Sequence, residues 1–229
     1  MTDKRILVVL TNTPTYGKYD DATGLWLGEA TEFVDEVERQ GLKVDYTSPK
    51  GGYVPIDPRS LRHADAASFR YYRKADFQRQ ALTASLPAKQ IQAEEYAAIY
   101  YTGGHGVMWD FPNNPYLQRI SEAIYQQGGF ITSVCHGIAG LFYLQDHAGL
   151  PLITGKQITG FTSAEEYLSG KAKEIPFWNE QVAKQQGAIF KKGLPYRPFV
   201  VQDGQFITGQ NPFSSRQVAK QLLKNVKGA

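Results

Sequence analysis

The chain of 229 residues contains one cysteine, Cys135, and the residue after it is His136. A thiol beside an imidazole can act as a nucleophile with its own base, the chemistry of addition to carbonyl and acyl carbon. The segment before it, Phe130-Ile131-Thr132-Ser133-Val134, is apolar and β-branched, and Gly137, Ala139 and Gly140 follow. An apolar strand running into small residues reads as a sharp strand-to-helix turn. The thiol then projects from the strand's carboxyl end, where open α/β sheets place their ligands. A helix starting there would favour thiolate and let Cys135 ionise more easily than a free thiol. A lone cysteine also has a plain use as a small buried hydrophobe, but Cys-His-Gly at a strand end favours the nucleophile.

A second segment, Ala97 to Gly106, is another strand emptying into a loop, with glycine at positions 103, 104 and 106. Glycines let backbone N–H groups turn inward and approach a ligand, as an oxyanion hole requires. His105 either lines the same pocket or is a loop histidine bonded to a backbone carbonyl. Met108-Trp109-Asp110-Phe111-Pro112 adds an apolar wall with one carboxylate, and Trp109 and Phe111 suit substrate contact or packing equally. In a third segment, the acid Glu29 lies at the margin of a helical stripe marked by Trp26, Phe33 and Val37. Half burial would keep it protonated and able to shuttle a proton to a thiol. From periodicity alone, a solvated carboxylate like Glu32, Asp35 and Glu36 is the better reading.

The elements that must position these groups alternate between short β-branched runs and helical periodicity, the pattern of a mostly parallel sheet covered on both faces. Strands are predicted over Arg5–Leu10, Lys43–Thr47, Ala97–Tyr101, Phe130–Val134, Gln157–Gly160, Phe199–Gln202 and Gln205–Thr208. Helices are predicted over Leu25–Gln40, stopped by Gly41, and over Pro115–Gln127, His136–Gln145 and Ser214–Asn225. Between about residues 50 and 94 a charged, aromatic stretch breaks the rhythm and reads as an inserted helical cap on a single domain spanning 1–229.

Composition narrows the function classes. Basic residues number 25 against 22 acidic ones, without a like-charge run, so no nucleic-acid partner is implied. No segment is long and apolar enough for a bilayer, and Ile6–Leu10 is too short for a signal-peptide core. A single cysteine allows no internal disulfide and no cysteine-rich metal site, which fits a cytoplasmic protein. No metal or cofactor is expected.

Several separated segments resemble the ThiJ/PfpI superfamily, in particular its glyoxalase III-like branch of heat-shock chaperone relatives. They are Gly24-Leu25-Trp26-Leu27-Gly28-Glu29-Ala30, Thr102 to Gly106 with Met108 to Pro112, Val134-Cys135-His136-Gly137, and Pro151 to Thr162. Pro55-Ile56-Asp57-Pro58-Arg59-Ser60-Leu61 and Asp203 to Pro212 match that branch too. The resemblance implies an α/β, flavodoxin-like three-layer sandwich with Cys135 as nucleophile and His136 beside it. A carboxylate from the loop after Phe161-Thr162 would orient the imidazole. That is Glu166 by position in the motif, or Glu165 if the match slips by one. The conserved acid of the family falls on Glu29, and the oxyanion donors would be the N–H groups of Gly104 and His136. His105, Gly106 and Trp109 would lie on the substrate side. One departure, Ile138 where relatives often carry proline, bears on the pocket wall. His147 has no glutamate two residues on, which argues against glutaminase activity.

The activity so implied is conversion of methylglyoxal and other 2-oxoaldehydes to a 2-hydroxy acid such as D-lactate, without glutathione, cofactor or metal, in stress protection. A small aldehyde is therefore the expected partner, with misfolded or glycated proteins behind it and a homodimer as the family habit. A chaperone role would rest on exposed cap aromatics, Phe69, Tyr71, Tyr72 and Phe77. Deglycation of proteins and amide or peptide hydrolysis by the same residues stand as further alternatives.

Overall fold

The computed structural model describes residues 5–226. Seven strands form one sheet in the order β3-β2-β1-β4-β5-β9-β8. They are β1 (Arg5–Val9), β2 (Val44–Ser48), β3 (Leu86–Pro87), β4 (Tyr96–Tyr101), β5 (Phe130–Val134), β8 (Val200–Asp203) and β9 (Phe206–Gly209). All neighbours pair parallel except β8 with β9. Two further short strands, β6 (Gln157–Ile158) and β7 (Ile189–Phe190), make a separate parallel ribbon. The strand expected at Gln157–Gly160 therefore lies outside the main sheet.

Each central strand is buried on both faces, which explains its unbroken apolar run. Along β1, Ile6 and Val8 point into one core, and Leu7 and Val9 into the other, as the twofold side-chain alternation demands. Helices α1 (Leu27–Arg39) and α9 (Ser215–Val226) cover the first face. On α1 the stripe Leu27, Ala30, Phe33, Val34 and Val37 is fully buried, and the Phe33 ring stacks on Tyr100 at 3.6 Å. The second face is covered by α6 (Pro115–Gln126), by the 3₁₀ turn Cys135–Leu141 and by α8 (Asn179–Gln185). The result is a three-layer α/β sandwich. Order reverses between β1 and β4, so the carboxyl ends of β1, β4 and β5 open onto a topological switch point.

Residues 50–94 hold three short helices, α2 (Pro58–His63), α3 (Ala66–Tyr72) and α4 (Ala75–Phe77), the last running into a π-turn over Gln78–Thr83. The segment is not purely helical, because β3 returns to pair with β2 at the sheet edge. Its aromatics do not form the exposed patch a chaperone surface would need. Tyr71 and Phe77 are buried and meet edge to face at 5.2 Å, with Tyr46 against Phe77 from β2, while Phe69 and Tyr72 are half-buried.

The helix expected over His136–Gln145 is replaced by the 3₁₀ turn. In an α-helix the Cys135 carbonyl would accept from the residue four positions on. Here it accepts from the N–H of Phe161 at 3.0 Å, so the first turn tightens instead. Outside the cap, three helices among the described residues lie beyond the sequence expectation: α8, α7 (Ser163–Ser169) and the short α5 (Val107–Asp110), which follows the glycine-rich loop.

Candidate active site

Cys135 occupies the turn between β5 and the 3₁₀ segment with φ +58°, a left-handed conformation rare for a residue with a Cβ. Backbone strain of this kind persists where surrounding structure over-determines it, commonly at reactive groups. The side chain is 2 % exposed and sits at the floor of a cavity of about 540 Å³. Its Sγ lies 3.3 Å from His136 Nδ1. His136 Nε2 lies 2.8 Å from Glu166 Oε2, and His105 Nε2 lies 2.8 Å from Glu166 Oε1. The rings of His105 and His136 are 4.0 Å apart.

Burial alone would raise the Glu166 carboxyl, but the His136 and His105 N–H groups hold it well below the usual carboxylate range. Glu166 is thus anionic and can only accept. His136 Nε2 must carry the proton it donates, which leaves Nδ1 of the neutral ring as a lone pair facing sulfur. The imidazole is set up as a base for the thiol. Burial, followed by the neighbouring His136, depresses His105 to about 4, so its ring is neutral near pH 7.

Glu166 belongs not to a loop but to the first turn of α7. That helix starts with a capping box: Thr162 Oγ1 accepts from Glu165 N, and Glu165 Oε2 accepts from Thr162 N. Thr162-Ser163-Ala164-Glu165 is the sequence signature of this cap and was the legible signal for the helix. Glu165 is consumed by structure, since Oε1 also accepts from Tyr196 N, Gln210 Nε2 and Asn211 Nδ2. The choice left open between Glu165 and Glu166 falls to Glu166 on geometry.

Glu29 is fully buried, not solvated, whereas Glu32, Asp35 and Glu36 on the same helix are only half-buried. Its Oε2 accepts from Gly103 N at 2.5 Å, and Oε1 has no hydrogen-bond partner among the described residues. The carboxyl lies against Cys135, close enough for the two groups to feel each other's charge, without a well-aligned hydrogen bond between them. Burial raises Glu29 well above the carboxylate range. Burial likewise pushes the Cys135 thiol well up, and any ionisation of Glu29 would push it further. The expected easy ionisation at a helix N-terminus is therefore overturned. A short 3₁₀ turn supplies little dipole, and desolvation outweighs it. Cys135 rests as a thiol and gives up its proton on attack.

Gly104 and Gly106 lie behind the site, not on its surface. A Cβ on Gly104 would meet the Gly24 carbonyl at 2.2 Å, and one on Gly106 the Thr13 carbonyl at 2.7 Å. Their smallness closes the loop onto the segment before α1. Trp109 does not line the cavity; it packs edge-on against Tyr16 at 5.8 Å. Ile138 is buried in the second core and does not form the cavity wall either. His147 is exposed and remote from the thiol's partners.

The cavity wall instead includes Trp26, Arg59, His63, Phe161, Tyr196 and Phe213. Arg59 was not singled out from sequence, although Asp57-Pro58 before it is a helix-start signal. Asp57 caps α2, accepting from the N–H of Arg59 at 2.9 Å. His105, His136 and Glu166 also have ligand atoms within 4.8 Å of one another. Both histidine Nε2 atoms already donate to Glu166, so a cation there would have to displace two ring protons.

A profile of the DJ-1/PfpI family matches residues 23–225 of the chain. The chain belongs to the DJ-1/PfpI family. Among its relatives, the glutathione-independent glyoxalase HSP31 of Saccharomyces cerevisiae is 32 % identical over 99 % of this chain and 100 % of that protein. Glyoxalase 3 of Candida albicans is 30 % identical, covering 96 % of this chain and 97 % of its own. The solved glyoxalase III of Candida albicans superposes with a TM-score of 0.87 at 28 % identity, over 97 % of each chain. Rapid Encystment Protein 24 kDa of Francisella tularensis superposes at 0.94 with 32 % identity, over 97 % of this chain and 99 % of that one. The DJ-1/PfpI assignment agrees with the fold.

Proposed function

We propose that this DJ-1/PfpI protein converts 2-oxoaldehydes such as methylglyoxal to 2-hydroxy acids without glutathione, through a hemithioacetal on Cys135. The observation that carries this reading is the line Cys135 Sγ, His136 Nδ1, His136 Nε2 and Glu166 at the floor of a cavity, with a buried, proton-bearing Glu29 on the thiol's other side. Relatives that match along the whole chain carry the glyoxalase name.

The steps follow from the protonation states. His136 Nδ1 takes the thiol proton as sulfur bonds to the aldehyde carbon, and then returns it to the former carbonyl oxygen, which becomes the hemithioacetal hydroxyl. The imidazolium so formed is held by anionic Glu166. A base then removes the hydrogen from that carbon and an acid protonates the adjacent ketone oxygen, giving an enediol. Glu29 and His136, one protonated and one not, suit this exchange. Reprotonation at the second carbon, with loss of the hydroxyl proton from the sulfur-bearing carbon, leaves a thioester, and water releases the 2-hydroxy acid and restores the thiol. One carbon is oxidised and its neighbour reduced, so the sum is substrate plus water and no redox cofactor enters the balance. The N–H of His136 is a candidate donor to the developing oxyanion.

The experiment is glutathione-free incubation of purified protein with methylglyoxal, reading loss of the dicarbonyl and appearance of lactate. Lactate formation by wild type and none by Cys135→Ala is expected. Dicarbonyl loss without lactate, or equal lactate from Cys135→Ala, would overturn the reading.

A further inference from the structure

We propose that Arg59, carried by the cap helix α2, is a positioning residue that fixes the tautomer of His105 and so keeps Glu166 free to support His136. The inference rests on the reading that Cys135, His136 and Glu166 do the chemistry. It concerns a residue three hydrogen bonds behind His136.

The geometry leaves few choices. Arg59 Nη2 lies 3.2 Å from His105 Nδ1, and a guanidinium can only donate. The two protons of Nη2 are shared among Asp57 Oδ2, the Tyr16 hydroxyl and His105, so the bond to Nδ1 is the longest of the three, but a proton on Nδ1 would face a nitrogen that cannot accept, which places the proton of the neutral ring on Nε2. That atom is the one 2.8 Å from Glu166 Oε1, so His105 donates to the carboxylate. With both oxygens accepting, Glu166 has no call for a proton of its own, and His136 keeps Nδ1 as the base facing sulfur. Had Nδ1 carried the proton, the lone pair of Nε2 would oppose a carboxylate oxygen at hydrogen-bond distance. Glu166 or His105 would then have to take up an extra proton.

Arg59 is itself held in place. Its Nε donates to Asp57 Oδ1 at 3.0 Å and Nη2 to Asp57 Oδ2 at 2.6 Å, and the guanidinium also meets the Tyr16 hydroxyl. Asp57 is fully buried and accepts further from Thr23 Oγ1 at 3.0 Å. A bidentate pair of this kind fixes the guanidinium plane, which a lysine could not do. The charged and titratable groups around His105 are Glu166 from α7, His136 from the β5 elbow, Arg59 with Asp57 behind it from the cap, and Tyr16 from the loop after β1. Among the described residues, Arg59 alone hydrogen-bonds the outer nitrogen of His105. Removing it deletes both the donor and a positive neighbour, so protonation of His105 becomes easier. A charged His105 would neutralise Glu166 and weaken its hold on the His136 imidazolium.

The test has two arms. Nitrogen NMR of the histidine rings in wild type, which needs no turnover, should show His105 neutral near pH 7, with the proton on Nε2. A proton on Nδ1 overturns the inference whatever the activity. In the second arm, Arg59→Met should lower kcat for methylglyoxal about 10- to 100-fold near pH 6, the usual scale for losing a group that orients a histidine. KM should change less, and kcat should recover as pH rises and His105 loses its extra proton. Arg59→Lys keeps a cation and one donor but loses the bidentate hold of Asp57, so its kcat near pH 6 should fall between those of wild type and Arg59→Met. A rise in KM alone, or an equal loss of kcat at every pH in folded protein, overturns the inference. Absence of turnover in wild type, with the Nε2 tautomer present, would sink the proposed function and leave Arg59's role standing.

Discussion

The Glu29 carboxyl and the Cys135 Cβ face each other across the α-carbon of Gly103. A methyl group placed there would lie 2.5 Å from Glu29 Oε2, 2.9 Å from Cys135 Cβ and 3.0 Å from His136 N. Gly103 also donates its N–H to Glu29, so one residue both joins and spaces the acid and the thiol. We expect Gly103→Ala to force the two apart, costing about 1–3 kcal/mol of stability as overpacking does. Activity should fall well beyond what that loss explains. Thermal melting beside the methylglyoxal assay checks this, and a folded Gly103→Ala protein with full activity would show that the close approach is dispensable.

Glu29→Gln separates proton transfer from shape. Glutamine keeps an oxygen for the Gly103 N–H but has no proton to exchange, so kcat should drop on the order of 10²-fold or more while the protein stays folded.

The same substitution carries a sign in pH. The folded-state pKa of Glu29 is raised, so its contribution to stability is complete below the unfolded carboxylate pKa and is lost as pH rises through the folded value. Comparing denaturant midpoints between about pH 7 and 8, wild type should lose up to about 1.4 kcal/mol per pH unit relative to Glu29→Gln. Parallel curves would mean that Glu29 is ionised in the fold. His105 has the opposite sign. Depressed to about 4, it stabilises the fold above its unfolded pKa, and that contribution is lost as pH falls toward 4.

The two adjacent glutamates should fail differently. Glu166→Gln cannot accept from both histidines, so kcat should fall about 10²- to 10⁴-fold with modest loss of stability. Glu165→Ala strands the Tyr196, Gln210 and Asn211 donors, and it should cost on the order of 3 kcal/mol in unfolding free energy. A Glu165 variant of native stability would put the cap assignment of that residue in error.

Much of this was legible along the chain because it depends on local pattern. The double-faced burial of β1, β4 and β5 shows as unbroken apolar runs, and the elbow shows as a strand meeting Cys-His-Gly. Glu29 was found by family likeness and not by periodicity. It lies on the buried side of α1 because a strand-end loop, distant in sequence, offers it the Gly103 N–H. The thiol's direction of shift was misread because burial is a tertiary property, and it outweighs the dipole of a short turn. Arg59 went unremarked because its partner His105 is 46 residues away. The 3₁₀ turn after Cys135 likewise depends on a non-local bond to Phe161.

The most direct measurement is mass spectrometry of protein quenched during turnover of methylglyoxal, mapped by peptide. We expect an adduct equal in mass to one substrate molecule on the peptide holding Cys135, built up in Glu166→Gln and absent from Cys135→Ala. Turnover to lactate with adducts only on lysine or arginine, and none on Cys135, would contradict the nucleophilic thiol.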